Sequence, residues 1–169
     1  GLPLRLDATS GELSFYGGLL CDGSSQKQLS QMNGLFRDSI TDAGNALVYR
    51  AYRNIRYAQD EKLFTRHGYR YDITVILPGQ VNGEYFKTSG HFHGGLQPNR
   101  NPFPEVYEVV AGEIVFVLER NAAFEQSDGG EITQLQAVHV MAGQAIIVPP
   151  VVQGGEIVSS TRIRAALAR

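Results

Sequence analysis

Residues Glu105–Glu119, with the sequence EVYEVVAGEIVFVLE, decide the fold class of this chain. Valine, isoleucine, tyrosine and phenylalanine dominate the stretch on both sides of Gly112, and such β-branched and aromatic residues favour strands. The glycine between the two apolar runs predicts a hairpin turn. We therefore predict two strands, Glu105–Ala111 and Ile114–Glu119, joined at Gly112.

Similar strand patterns occur along most of the chain. Tyr71–Leu77 alternates between two faces and ends at Pro78-Gly79. Short strands at roughly ten-residue spacing predict an all-β sandwich or barrel. Further strands are predicted at Glu84–His93, Ile132–Val140 and Ala145–Val148, with turns at Ser127–Gly130 and Ala142-Gly143. Helix is expected only at Gln26–Phe36, for one or two turns, and at Thr161–Arg169, which is rich in good helix formers.

Length, charge and cysteine content limit the class of protein. The 169 residues predict a single domain, 1–169. Because the 15 basic and 17 acidic residues give a net charge of −2, we expect no nucleic-acid or anionic-membrane partner. No apolar run approaches the roughly 18 residues that span a bilayer. Cys21 is the single cysteine, so the cytoplasm is the expected location. The first residues show no charged-then-apolar leader pattern, and we interpret Gly1, which stands where a methionine is usual, as a processing scar.

A candidate metal site begins at His91-Phe92-His93. In a strand, residues two apart lie on the same face, so both imidazoles can share one ion. Glu105 opens the next strand, and two histidines with one carboxylate form a facial triad with open coordination positions. Two polar residues on a solvated strand, followed by a surface carboxylate, are the alternative interpretation.

These residues are carried by motifs that resemble a known family. HFH at 91–93, PEVYEVVAG from Pro104 and GQAIIVPP from Gly143 resemble the two-part signature of cupins, which are small jelly-roll barrels. With LSQMNGLF from Leu29, LVYRAY from Leu47 and DITVILPGQVNGEYFKTSG from Asp72, the likeness narrows to the cupin-type glucose-6-phosphate isomerases, first known in archaea. It extends over about residues 4–150 and implies an all-β cupin fold with a few short helices.

The resemblance implies a role for each matching position. His91, His93 and Glu105 match the family's metal ligands, and Glu105 with Tyr107 its catalytic residues. The sugar-phosphate contacts match Tyr49, Thr74, Thr88 and the Gly90 N–H, and Tyr107 matches one as well. β-Propensity alone is the alternative explanation of the two threonines. Strict alternation places Thr88 opposite His91, so we expect a bulge or kink at Ser89-Gly90.

The chain departs from the family pattern at its end. The family's fourth metal-binding histidine falls on Gly154, and Gln153, one residue earlier, offers only a neutral amide oxygen. His139 is expected to be a solvated or internally satisfied histidine, and His67 a loop histidine. Residues 151–169 form an atypical tail, and a jelly roll without its closing strand has an exposed edge that favours a homodimer.

Three functions follow from these features. The first is a metal-dependent interconversion of glucose 6-phosphate and fructose 6-phosphate, by an enediolate or by hydride transfer between C1 and C2. One divalent ion is expected, Fe(II) first, with zinc, manganese or nickel as alternatives. The second is a degenerate cupin with weakened metal binding that binds a sugar phosphate or is inactive. The third is another metal-cupin enzyme, such as an oxygenase.

Overall fold

Strands dominate the structure, as the sequence predicts. The computed structural model describes residues 1–40, 45–90, 104–121, 132–148, 151–153, 156–159 and 162–167. Within these ranges, helix is confined to one short α-helix and two 3-10 turns, so the all-β class is confirmed. The chain divides into two compact units, Gly1–Phe86 and Lys87–Arg169. The described part of the chain contains no helix of the length and hydropathy that a membrane crossing needs.

The first unit consists of short antiparallel strands around two apolar clusters. Its strands are β1 Leu4–Asp7, β2 Glu12–Phe15, β3 Leu19–Leu20, β4 Gly23–Gln28, β5 Leu47–Arg53, β6 Arg56–Tyr57, β7 Ile73–Ile76, β8 Gln80–Val81 and β9 Glu84–Tyr85. The 3-10 turns are Leu29–Met32 and Ala58–Asp60, and the helix α1 is Glu61–His67. β5 lies between β4 and β7 in one sheet, while β1 pairs with β2, β3 with β6, and β8 with β9.

Burial on both faces of β5 makes it the centre of this unit. Val48 and Tyr49 belong to a cluster with Met32 and Phe86, and Tyr52 belongs to a second cluster with Leu13. The Tyr52 hydroxyl is buried and accepts a hydrogen bond from the Leu13 N–H at 2.9 Å. A polar group that is satisfied inside the core fixes the first hairpin against β5.

The second unit is built on one long antiparallel ribbon. Its strands are β10 Glu105–Glu108, β11 Glu113–Asn121, β12 Ile132–Met141, β13 Ala145–Val148, β14 Val151–Gln153, β15 Glu156–Ser159 and β16 Arg162–Leu167. β10 pairs with β13, β11 with both β12 and β16, and β14 with β15. Val109, Phe116, Val140 and Val148 form its buried cluster.

The hairpin predicted at Gly112 is wrong, although the turn itself exists. β10 and β11 flank Gly112, which has φ +77°, but they pair with different strands. The Ala142 N–H donates to the Gly112 carbonyl at 2.9 Å, and the Gly143 N–H donates to the Val109 carbonyl at 2.8 Å. The turn at Gly112 and the turn at Ala142-Gly143 therefore lie side by side and bend one ribbon at a corner. The β10–β13 pair lies on one side of this corner and the β11–β12 pair on the other.

The predicted helices are corrected by the structure. Gln26–Gln28 continues β4, and only Leu29–Met32 forms a 3-10 turn. The predicted helix at Thr161–Arg169 is wrong, because Arg162–Leu167 forms β16 and pairs antiparallel with β11 from Glu119 to Ile114. A ladder of main-chain hydrogen bonds along a neighbouring strand outweighs a modest helix propensity. His67 was expected in a loop and instead ends α1.

Predicted strands elsewhere have the expected type with different lengths. Tyr71–Leu77 contains β7, and the strands predicted at Ile132–Val140 and Ala145–Val148 are β12 and β13. Glu84–His93 shortens to β9 and an irregular segment to Gly90, whose φ of +66° leaves strand geometry where the parity argument predicts a kink. Residues 91–93 and the predicted turn at Ser127–Gly130 lie outside the described residues.

Candidate functional site

Glu105 and Tyr107 lie on one face of β10 and contact each other directly. They are two residues apart in a strand, and both side chains are half-buried. The Tyr107 hydroxyl donates a hydrogen bond to Oε2 of Glu105. A carboxylate oxygen that accepts a hydrogen bond from a phenol is fixed in direction. Tyr107 therefore orients the Glu105 carboxylate and determines where its second oxygen points.

The core of the second unit holds Tyr107 in place. Its ring contacts the Phe116 ring with centroids 5.1 Å apart and planes tilted by 53°. Across the ribbon, Tyr107 is paired with Ile146 and Glu105 with Val148. The carboxylate therefore lies at the margin of an apolar cluster, where a partly desolvated charge depends on its hydrogen-bond donors or on a cation.

Tyr49 and Thr74 are brought to one face of the β5–β7 sheet in the first unit. The register pairs Tyr49 with Ile76 and Ala51 with Thr74, and residues opposite each other in an antiparallel pair share a face. Thr74 is exposed, so its hydroxyl can reach a ligand. Tyr49 is 8% exposed and packs in the cluster around Met32.

A charged group that sequence reasoning did not identify fixes the start of β7. Asp72 lies two residues before Thr74 and accepts from Arg53 at 3.1 Å, from Arg70 and from the Asn54 N–H at 2.9 Å. Partial burial raises the pKa of Asp72, but the hydrogen bonds from Arg70, Asn54 and Arg53 outweigh it and leave that pKa below its ordinary value. Asp72 is therefore a positioning residue for the strand that carries Thr74.

A second cluster of charged side chains, centred on Arg56 of β6, links this strand to α1. The Arg56 side chain is 8% exposed and donates to Asp22 at 2.6 Å and to Glu61 at 2.9 Å. Hydrogen bonds from Arg56 and then from Asn54 lower the pKa of Asp22. No motif in the sequence marks these residues, because the partners are 34 and 5 residues away from Arg56.

Thr88 and Gly90 lie together in the irregular segment that follows β9. Both are half-buried, and the left-handed Gly90 changes the direction of the chain just before residue 91. Glycine adopts this conformation without a Cβ clash, so the Gly90 N–H is set by the turn rather than by a strand ladder. These residues belong to the second unit, whereas Tyr49 and Thr74 belong to the first.

The histidines of the predicted metal site lie outside the described residues. Of the three proposed ligands, Glu105 alone has a described position. Gln153 is the last residue of β14, and its side chain is not among those described. In the described ranges, no three His, Cys, Asp or Glu side chains come together as a metal site.

The remaining histidines have ordinary contacts. His139 on β12 is half-exposed, and its Nε2 lies 2.9 Å from Oε2 of Glu113 on the neighbouring strand. His67 ends α1 and stacks on Tyr69 with ring centroids 5.4 Å apart. Neither of these contacts involves Glu105 or Tyr107.

Comparison with known proteins identifies the family. The family model described as glucose-6-phosphate isomerase (GPI) matches residues 23–157. The chain is 30% identical over 116 residues to the glucose-6-phosphate isomerase of Thermococcus litoralis, which covers 64% of this chain and 55% of that protein. It is 32% identical over 94 residues to the enzyme of the same name from Pyrococcus furiosus, covering 53% of this chain and 44% of that protein. The chain therefore spans about half the length of the curated relatives it matches, and it belongs to the glucose-6-phosphate isomerase family.

Proposed function

We propose that the chain is a cupin-type, metal-dependent isomerase that interconverts glucose 6-phosphate and fructose 6-phosphate. The observation that carries this proposal is the Glu105 carboxylate held by the Tyr107 hydroxyl on one face of β10, in a chain that belongs to this family. An aldose–ketose isomerase that works through an enediolate needs a base that moves a proton between adjacent carbons, and an oriented carboxylate can supply it.

In this proposal Glu105 takes the proton from C2 of the open-chain aldose and returns it to C1. The substrate passes through an enediolate, and the hydroxyl proton moves from O2 to O1, so the product is the ketose with no net change in atoms. Tyr107 keeps the carboxylate directed at the two carbons. Hydride transfer from C2 to C1, with the hydroxyl proton again moving from O2 to O1, gives the same product and requires no proton to be taken from carbon by Glu105.

Other residues of the chain hold the substrate in the proposed site. Hydroxyls of Tyr49, Thr74 and Thr88 and the Gly90 N–H are donors suited to phosphate and sugar oxygens. A divalent ion, Fe(II) first and zinc, manganese or nickel as alternatives, would be held by His91, His93 and Glu105 and would supply positive charge near the oxygens at C1 and C2. The half-buried carboxylate of Glu105 fits such a donor set.

The proposal places the chain in the cytoplasm, in glycolysis and gluconeogenesis, as a homodimer with a sugar phosphate as its partner. A second candidate is a sugar-phosphate binder with weakened metal affinity, favoured by Gly154 at the position of the family's fourth histidine. A third is a different metal-cupin reaction such as an oxygenase.

A coupled assay separates these functions. Fructose 6-phosphate is supplied with Fe(II), and glucose 6-phosphate is detected through a dehydrogenase, with oxygen uptake followed in parallel. Turnover by the wild type that is lost in Glu105→Gln and kept in His139→Gln, whose side chain lies elsewhere, supports the isomerase. Folded wild type with no turnover above the metal-free background refutes it: binding of glucose 6-phosphate in calorimetry then indicates the binder, and oxygen uptake indicates the oxygenase.

A further inference from the structure

An exposed turn in the first unit contains an asparagine followed by glycine. Asn33 has φ −59° and ψ 135°, Gly34 has φ +80°, and the Leu35 N–H donates to the Met32 carbonyl at 3.0 Å. These values define a type II turn with Asn33 and Gly34 at its two central positions. Both central residues are exposed. Within the described ranges, no main-chain carbonyl accepts a hydrogen bond from the Gly34 N–H.

A second asparagine–glycine pair occupies a different kind of turn. Asn82 and Gly83 connect β8 and β9, with φ values of +48° and +83°. A two-residue hairpin loop with both residues left-handed is a type I′ turn. This pair is also exposed, so the two sites differ in backbone conformation and not in access to water.

We propose that Asn33 is a site of spontaneous deamidation in the folded chain and that the Asn82 site is protected by its turn. The Gly34 nitrogen loses its proton and attacks Cγ of Asn33. A bond forms between that nitrogen and Cγ, the Cγ–Nδ2 bond breaks, and ammonia leaves with the proton. Water then opens the cyclic imide at either carbonyl and yields aspartate or isoaspartate, so the net change is one water consumed and one ammonia released.

The backbone conformation explains why the two asparagines differ. In the left-handed conformation, Cβ lies close to the carbonyl oxygen of its own residue, so the next nitrogen is on the far side of that carbonyl carbon from the side chain. Asn82 has a positive φ and lies in this type I′ loop, so its Cβ is directed away from the Gly83 nitrogen. Asn33 is extended at ψ, so a smaller rotation about Cα–C brings the Gly34 nitrogen to its Cγ.

The two turns also differ in the residues that flank them. The Asn82 turn is closed on both sides by the paired residues of β8 and β9. The Asn33 turn is followed by Leu35, which donates the turn's hydrogen bond, and by the core residue Phe36. Isoaspartate adds one carbon to the main chain at this point. The change therefore lengthens the link between Met32 and Phe36, which are 0% and 6% exposed in one cluster.

The test follows the two sites in one sample of the full-length protein. The folded protein is incubated in mildly alkaline buffer and digested with trypsin at successive times. Cleavage after Lys27, Arg37, Arg70 and Lys87 separates the two sites into peptides 28–37 and 71–87. Mass spectrometry gives the deamidated fraction of each, and an isoaspartyl methyltransferase labels the isoaspartate. We expect peptide 28–37 to convert about tenfold faster, equivalent to about 1.4 kcal/mol in the barrier.

Two controls separate folded geometry from local sequence. In urea, where the turns are lost, both peptides should convert at similar rates because glycine follows the asparagine in each. Asn33→Gln should abolish the faster conversion and Asn82→Gln should leave it unchanged, with circular dichroism confirming that both variants are folded. Two results would overturn the proposal: equal rates of deamidation at the two sites in the folded wild type, or no deamidation of peptide 28–37 from the folded protein while the same peptide converts in urea. Neither result bears on the isomerase assay.

Discussion

The hydroxyl of Tyr107 and the carboxylate of Glu105 form a pair in which only one member is proposed to exchange a proton with substrate. The phenol is anchored by its ring against Phe116, so its position is set by packing and not by the carboxylate. The sequence alone places both residues on one face of a strand, since they are two positions apart. It does not show that the hydroxyl points at the carboxylate, because that direction depends on the Phe116 contact across the unit.

Replacing Tyr107 by phenylalanine should lower kcat more than it raises KM. The ring and its contact with Phe116 remain, while the donor to Glu105 is lost. Hydrogen bonds to charged groups contribute about 1.5–3 kcal/mol, so we expect a loss in kcat of about 10- to 100-fold. Steady-state kinetics with fructose 6-phosphate measures this. A variant with wild-type kcat and an unchanged pH profile would show that Tyr107 does not position the carboxylate.

Asp72→Asn should remove a contribution to stability that depends on pH in the acid range. The folded-state pKa of Asp72 is below its ordinary value of 3.8. Its stabilising effect is therefore fully present above that value and is lost as the pH falls through the lower folded pKa. We expect the wild type to exceed the variant by about 1 kcal/mol at neutral pH, since partly exposed pairs are screened, and the difference to disappear in strong acid.

Urea unfolding at a series of pH values measures the Asp72 difference. Arg70→Gln removes one of the donors and should reproduce part of the effect with the same pH dependence, because it acts on the same carboxylate. A difference between wild type and Asp72→Asn that stays constant below pH 3.8 would contradict the linkage.

Among elements, the strands with clear local patterns could be predicted and the long-range pairings could not. Tyr71–Leu77 alternates because its two faces meet different surroundings, and it contains β7. Gly112 marks a turn correctly, yet a hairpin and a corner have the same local sequence. Only the pairing of β10 with β13 and of β11 with β12 distinguishes them, and each pairing joins residues that are distant in the chain.

In the C-terminal segment, likewise, intrinsic helix propensity does not determine the secondary structure. Arg162–Leu167 contains alanine, leucine and arginine, which favour helix in isolation, and it forms β16 beside β11. The register pairs Arg162 with Glu119 and continues to Leu167 opposite Ile114. The segment for which propensity predicts a helix therefore forms a strand along β11.

Gly79→Ala should destabilise the first unit through a clash with Phe86. A Cβ at residue 79 would lie 2.6 Å from Cζ and 2.7 Å from Cδ2 of the Phe86 ring. Phe86 is 7% exposed and its N–H donates to the Gly79 carbonyl, so the ring cannot move away freely. Overpacking of this kind costs about 1–3 kcal/mol in the free energy of unfolding.

Gly23→Ala is the matched control for the Gly79 variant. Gly23 begins β4, and a Cβ there would meet no atom within 4 Å. Chemical denaturation of both variants should show a lower midpoint for Gly79→Ala and a change within about 0.5 kcal/mol for Gly23→Ala. Equal midpoints for the two variants would show that the Phe86 ring adapts without cost.

For the whole molecule, family membership and the described structure support different parts of the proposed site. The family match covers residues 23–157 and so includes every position assigned to substrate or metal. The structure describes Glu105, Tyr107, Tyr49, Thr74, Thr88 and Gly90, while both histidines lie outside the described residues. Sequence spacing could predict the two histidines as a pair, but no spacing could show whether three ligands hold an ion without a histidine at Gly154.

Metal binding should therefore be visible as a stabilisation of the entire fold. A ligand that binds only the native state stabilises it by about 2.7 kcal/mol at a concentration one hundred times its Kd. We expect Fe(II) under anaerobic conditions, or zinc in air, to raise the Tm of the wild type by several degrees. His91→Ala and Glu105→Gln should each lose this rise, whereas His139→Ala, which removes an imidazole hydrogen-bonded to Glu113, should keep it.

Elemental analysis of the same samples should find one ion per chain in the wild type and in His139→Ala. A Tm that no divalent ion changes, together with metal-free wild-type protein that still turns over substrate, would contradict the three-ligand site, because an ion held by these residues must add its binding free energy to that of folding.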